Sequence, residues 1–409
     1  MTKNKKNIMR RSRRIANRSA GAGTTAGFTD LPDAIVYDIL SRLPLNSIFA
    51  CKRICMNWRD LIALDPYFAK LHLSRSPLSL ISYFRSNIID RSPAYFEITQ
   101  LYDPLVSGHP IATIRLKTDI HFPRMQIQIM ASCNGLILLS DFPSNDLAIV
   151  CNPLRAQHFI LPKPLKPKPP NGYGDVGFGI GLSTVINRYK VLRYTITHRP
   201  TRLVEFDVYT IGSDDEWRSL GGAAQPPVSS GSSLVFLNGA LHWIGYQDSW
   251  LICYFDIEKE QFRCFPLPSH IGDAFRSLGV VDNWLYIRTE SPALRKFWMM
   301  KDYRDFGSWT LECVVQETFP RGVRRVVEEP LKFLADGSLL ISLYEYTKRR
   351  YRKGPKEDKI TLASYDPNTG ALKKINHRGI IVRATPYSFV PCFCSSMDAL
   401  EGTTLKSLC

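Results

Sequence analysis

The chain has 409 residues, 44% of them hydrophobic, and a formal charge of +16. That length suits two or three globular domains. No run approaches the roughly 18 apolar residues of a membrane span, and the basic start lacks the apolar stretch of a secretory signal. Ten cysteines without a single C-x-x-C pair argue against a paired-ligand zinc site and for reduced thiols in the cytosol or nucleus.

Residues 1–18, MTKNKKNIMRRSRRIANR, hold eight Lys or Arg and no acid. Such text buries too little apolar surface to fold, so residues 1–26, with the flexible GAGTTAG run at 21–27, are expected to be a disordered basic tail and linker. KNKK followed by RRSRR has the form of a bipartite nuclear-import signal. A solvated tail with no address and, more weakly, an organelle transit peptide are the alternatives. Nucleus and/or cytoplasm is the expected location.

A helical domain is predicted over 27–73. Thr29 or Asp30 can cap its first helix, and Pro32 suits the first turn, where a missing N–H costs nothing. Ile35, Val36, Ile39, Leu40 and Leu43 then share a face until Pro44. Asn46 can cap a second helix, with Ile48, Cys51, Ile54, Cys55, Trp58, Leu61 and Ile62 on one side. Asp65-Pro66 opens a third, through Phe68 and Leu71. About 45 residues of helix are too few for an independent core, so some apolar surface must meet another surface.

From about residue 79 the text turns to short apolar runs separated by turn residues. Asn134-Gly135, Asn238-Gly239 and Asp336-Gly337 each precede a strand, and such pairs supply the positive φ angles of tight hairpins. VCNP (150–153), YFDI (254–257) and SYDP (364–367) follow. Gly135 to Asn152 and Gly239 to Asp256 are each 17 positions; Gly337 to Asp366 is 29. Two further units, 205–220 and 280–315, are degenerate. A period of about 45–55 residues fits four-stranded propeller blades. Strands between 79 and 118, with SFVPCFC (388–394) returning, make a sixth. The predicted architecture is α+β and multidomain: a small three-helix domain, then an all-β, six-bladed propeller-like domain over 74–396 and a tail at 397–409. A pair of β-sandwiches is the alternative.

Leu31-Pro32, Ile39-Leu40-Ser41-Arg42-Leu43-Pro44 and Ile54-Cys55-Met56-Asn57-Trp58-Arg59 together resemble the F-box, with Ile54 for the usual Val and Met56 where Lys is usual. SCNGLILL, AIVCNP, FLNGALHWI and FDIEKEQFRCFPLP resemble the kelch-like F-box-associated domain of large plant families, over roughly 130–320. The resemblance implies the substrate-recognition subunit of an SCF (Skp-cullin-F-box) ubiquitin ligase, in which apolar helix anchors dock a Skp-type adaptor and through it a cullin. It assigns docking to Leu31, Pro32, Ile39, Leu40, Leu43, Pro44 and Trp58, some of which could instead pack only within the F-box.

No cysteine has the setting of an activated nucleophile, the eight histidines lack metal spacing, and His242 in ALHWI reads as a core histidine. GFGIG (177–181) reads as a turn and strand, because no helix follows it to cradle phosphate. There is no G-x-S-x-G. The chain is therefore expected to be non-enzymatic, without cofactor or metal, acting by holding a client near the ligase. The 12-position excess of the last repeat lies around YTKRRYRKGPKEDK (346–359). Lys348, Arg349, Arg350, Tyr351, Arg352 and Lys353 are candidate contacts for an acidic protein client; the plainer reading is a solvated hairpin tip. LPKPLKPKPP (161–170) reads as an extended spacer. A basic nucleic-acid-binding or glycan-binding module independent of ubiquitination is the rival function, but the strand text lacks a clustered basic and aromatic platform.

Overall fold

The structure is a computed structural model that describes residues 31–84, 94–102, 111–118, 120, 126–142, 147–164, 174–197, 202–221, 225–271, 275–291, 294–316, 323–347, 359–375, 380–381, 387–389 and 406–407. The chain forms two compact units, residues 1–43 and 44–409. No described helix is long and apolar enough to cross a membrane.

The first unit contains α1 (Asp33–Ser41). Pro32 stands one place ahead of the helix, and its carbonyl accepts from the amides of Ile35 and Val36. Val36 and Leu40 are buried while Ile35 is exposed. Arg42 pairs with Asp38 one turn earlier. The candidate caps Thr29 and Asp30 lie outside the described residues.

The second unit begins with α2 (Leu45–Cys51), α3 (Met56–Leu64) and α4 (Pro66–Arg75). The apolar text from Ile48 to Ile62, expected as one helix, is thus two. Cys55 is extended at φ −152°, and its Sγ accepts from the Trp58 amide 3.5 Å away, starting α3 afresh. Four helices therefore stand where periodicity indicated three, because a 3.6-residue stripe runs through a tight turn without losing phase. Asp65 caps α4 as expected, its Oδ1 accepting from the Tyr67 and Phe68 amides, with Pro66 in the first turn.

The rest of the unit is a six-bladed β-propeller. The innermost strands of blades two to six begin at residues 126, 174, 235, 275 and 323. Blade one is closed by the C-terminal chain: Tyr387–Phe389 pairs antiparallel with Ser79–Phe84, followed outward by Tyr95–Leu101 and Ile111–Lys117. The return predicted near 388 thus adds the innermost strand of the ring. Innermost strands of successive blades adjoin one another around the axis. Blade two has a fifth strand on its outer edge, Lys406–Ser407 against Gln157–Ile160.

The sequence repeats have physical causes. Asn134 (φ 46°) and Gly135 (φ 83°) turn the first hairpin of blade two, Asn238 (φ 48°) and Gly239 (φ 77°) that of blade four, and Asp282 (φ 44°) and Asn283 (φ 65°) that of blade five. In the first hairpin of blade six Gly337 alone of the Asp336-Gly337 pair has a positive φ, and the Asp336 carboxylate accepts from Ser338. The second signature is a side-chain turn between the third and fourth strands. Asn152 Oδ1 accepts from the Leu154 amide, Asp256 Oδ1 from Glu258 and Lys259, and Asp366 Oδ1 from Asn368. Gly177 and Gly279 stand opposite Tyr194 and Tyr286, whose rings lie where a Cβ would be. GFGIG is accordingly strand throughout.

Blades lock to one another through polar side chains. Glu258 of blade four accepts from Ser183 Oγ and from the Thr184 and Val185 amides of blade three. Lys190 and Arg218 of blade three converge on Glu260. Cys253 and Cys264 form a disulfide. This corrects the expectation of reduced thiols throughout: an 11-residue separation hides that the hairpin register sets the two directly opposite on neighbouring strands.

Candidate docking surfaces

In the first unit, Pro32 is exposed, Leu31, Ile39 and Leu43 are partly buried, and Leu40 is only 1% exposed. The Leu40 side chain is therefore an interior group. In the second unit, Pro44 and Trp58 are partly buried. Next to Trp58, two side chains that the apolar stripe had marked or passed over are left bare, Ile54 at 66% and Met56 at 68% exposed. Leu64 and Tyr67 are also exposed. Ile54 follows the end of α2 and Met56 opens α3, so the turn between the helices presents both outward. The usable signal was the Ile-Cys-Met spacing, which reads as a helical face only if the helix continues.

Helices α2 to α4 are tied to a definite end of the propeller. In blades two to six the connection from first to second strand and that from third to fourth share one end; blade one, whose first strand is the C-terminal Tyr387–Phe389, has only the second of these connections. Those from second to third, and onward to the next blade, share the other. Gln100, at the end of the third strand of blade one, accepts at Oε1 from the Leu45 amide at 3.0 Å. Arg155, in the third turn of blade two, donates from Nη1 to the Ala63 carbonyl at 2.7 Å. Both anchors lie at the first of these ends.

At the opposite end, blade six contributes the strands that flank the client candidates in sequence. Lys348, Arg349, Arg350, Tyr351, Arg352 and Lys353 lie outside the described residues, but the strands that they join are the second and third of blade six, whose pairing reaches Glu345–Lys359. The proline-rich segment leaves blade two at that end, after Ile160. A feature that sequence reading missed stands there as well. Gln247–Ser249 turn tightly at Asp248 (φ 58°), and the 50%-exposed Tyr246 meets Trp250 edge-to-face with ring centroids 5.0 Å apart. GYQDSW offers no Asn-Gly or Pro-Gly to flag that turn.

The buried titratable groups are configured for packing. His242 is buried, its Nε2 lies 3.0 Å from the Tyr303 hydroxyl, and burial pushes its pKa down to about 4. His72 is likewise pushed to about 4 by burial, beside Ser76. Burial drives the Cys133 and Cys313 thiols up to about 12 and Cys151 higher, the opposite of what a nucleophile needs. No group of three or more His, Cys, Asp or Glu able to hold a metal exists among the described residues.

Comparison with known proteins accords with this layout. Residues 28–70 match the F-box domain, and residues 97–288 match the F-box associated beta propeller domain. An F-box protein of Arabidopsis thaliana is 24% identical, with 90% of this chain and 93% of that one aligned. The chain is a plant-type F-box protein. An F-box/kelch-repeat protein of the same plant is 29% identical over 59% of this chain and 61% of its own length. Among solved structures, a protein from Lactobacillus plantarum shares 10% identity over 77% of this chain and 97% of its own, at a TM-score of 0.35, too distant to bear on function. Within the F-box protein, the F-box match runs from the undescribed start of the helical segment to Lys70 in α4, and the propeller match stops in blade five.

Proposed function

We propose that this F-box protein is the substrate-recognition subunit of an SCF-type ubiquitin ligase. The observation that carries the reading is the presence in one chain of an F-box and a propeller, with α2 to α4 anchored at one end of the propeller. The F-box docks a Skp-type adaptor, and through it a cullin, using Leu31, Pro32, Ile39, Leu43, Pro44 and Trp58, with Leu40 supporting them from the interior. Exposed Ile54 and Met56 offer further apolar contacts. The connections at the far end hold a protein client; the Lys348–Lys353 stretch suits an acidic surface, and Tyr246 offers a fixed aromatic contact.

The chain supplies no covalent chemistry in this scheme. It raises the local concentration of client lysines at the charged conjugating enzyme, turning a bimolecular encounter into a nearly intramolecular one. We place the protein in the nucleus and/or the cytoplasm, since the KNKK and RRSRR clusters of the basic tail have the form of an import signal. The test is a pull-down of purified Skp-type adaptor by the parent and by a Leu31→Ala/Pro32→Ala/Leu43→Ala variant. Binding by the parent and loss in a variant with unchanged circular dichroism is expected. Equal recovery by the two, or none by a folded parent, overturns the adaptor role.

A further inference from the structure

An α-helix leaves its first N–H and last C=O groups without partners inside the helix. Helix α2 lacks a local solution at its start. Its cap position is Pro44, which provides no side-chain acceptor, and Asn46, the expected cap, lies inside the helix. The Leu45 amide instead donates to Gln100 Oε1, and both residues are at most 2% exposed. Helix α3 ends just before the extended Asp65, and its Ala63 carbonyl accepts from Arg155. A guanidinium at that site also meets the negative end of the helix dipole. Arg155 is aimed: Nε donates to Gln157 Oε1 at 2.9 Å, and the turn bearing it is folded by Asn152. Burial and, second to it, the Arg155 charge push the pKa of the Lys52 ammonium down.

We propose that Gln100 and Arg155 are positioning residues: the propeller caps two adaptor-docking helices and fixes their orientation relative to the client-binding end. This rests on the adaptor reading for its consequence but not for its structural content. With both contacts made, α2 to α4 move with the propeller, and a client lysine is held at a set distance from the adaptor. Without them, the helices remain connected but lose that registration.

The experiment uses the full chain as parent, as Gln100→Ala/Arg155→Ala, and as Arg155→Lys, which restores a charge and a donor but not the fork. Hydrogen exchange is read at residues 45–64 and, as an internal control, in the strands of blades three and four. The double variant should exchange about tenfold faster in 45–64, with the control strands unchanged, and Arg155→Lys should fall between variant and parent. Unchanged protection of 45–64 overturns the proposal. Spin-label distances from bound adaptor to blade four should then be narrow for the parent and broad for the double variant. A parent already broad, or a variant equally narrow, overturns the positioning role. Failure of the adaptor to bind the parent sinks the adaptor reading alone, since the exchange result stands without it.

Discussion

The blade turns and two of the helix ends, the start of α2 and the end of α3, solve the same problem in opposite ways. Each must satisfy backbone groups where regular structure stops. In the blades the answer is local: Asn152, Asp256 and Asp366 accept amides two residues on, so each hairpin carries its own closure. In α2 and α3 the answer is distant, supplied by Gln100 and Arg155, which are 55 and 92 residues away in sequence. Locally closed elements repeat and tolerate variation between copies. Remotely closed ones tie one region's geometry to another's, which suits a part that must present a partner at a fixed angle.

The largest effect should come from the blade core. Trp243 is fully buried, donates from Nε1 to the Pro227 carbonyl and packs on Phe206 and Phe262. Trp243→Ala should cost about 3–5 kcal/mol, read from the denaturant midpoint; a loss under about 1 kcal/mol would show that blade four is not a packed unit.

Acid is next. His242 and His72 stay neutral when folded, with pKa values pushed from 6.5 to about 4. The unfolded chain binds the extra protons, so the stability is present above pH 6.5 and drains away as pH falls towards 4, by up to about 3 kcal/mol per histidine. Melting temperature against pH, in the parent and in His242→Gln, reads this; a flat profile between pH 6.5 and 4 would contradict it. His242 belongs to a blade and His72 to α4, so separate substitutions show which region acid loosens first.

Turn closure separates the regions more finely. Asp256→Ala should cost about 1–2 kcal/mol and Asp65→Ala about 1 kcal/mol, whereas Asn46→Ala should change stability by less than about 0.5 kcal/mol. An Asn46 effect as large as that of Asp65 would return the cap of α2 to its own sequence and break the comparison.

Glu329 gives an oppositely signed effect, kept small because its side chain is 42% exposed and solvent screens it. Its carboxyl lies 3.3 Å from Arg288, which also pairs with Glu290, and loss of water around its inner oxygen, Oε2, raises its pKa to about 8. The folded protein holds that proton, so the contribution is full below about pH 4.5 and declines as pH rises to about 8. Glu329→Gln should raise the melting temperature slightly at pH 8 and leave it unchanged near pH 4.5; a lower melting temperature at pH 8 would show that the charged pair with Arg288 is the stabilising form.

What could be read beforehand follows the same division. The blade count and the tight hairpins were legible because their causes lie within a few residues of each other, and the return of the chain near 388 was legible as the strand text left over to complete a sixth blade with 79–118. The break at Cys55, the remote partner of Leu45 and the Cys253–Cys264 pair were not. A stripe of apolar residues keeps its phase through a turn, and a side chain 55 residues away leaves no mark on local spacing. Among the docking candidates, Pro32 and Trp58 are motif letters, while the exposure of Ile54 and Met56 depended on where α2 ends.

The most direct measurement is a calorimetric titration of Skp-type adaptor into the parent and into Gln100→Ala/Arg155→Ala. The account predicts a one-to-one complex with the parent and about tenfold weaker binding by the variant, because the adaptor must then order helices that the propeller no longer caps. Equal affinities would show that α2 and α3 are formed without the propeller, and no binding by the folded parent would contradict the adaptor role itself.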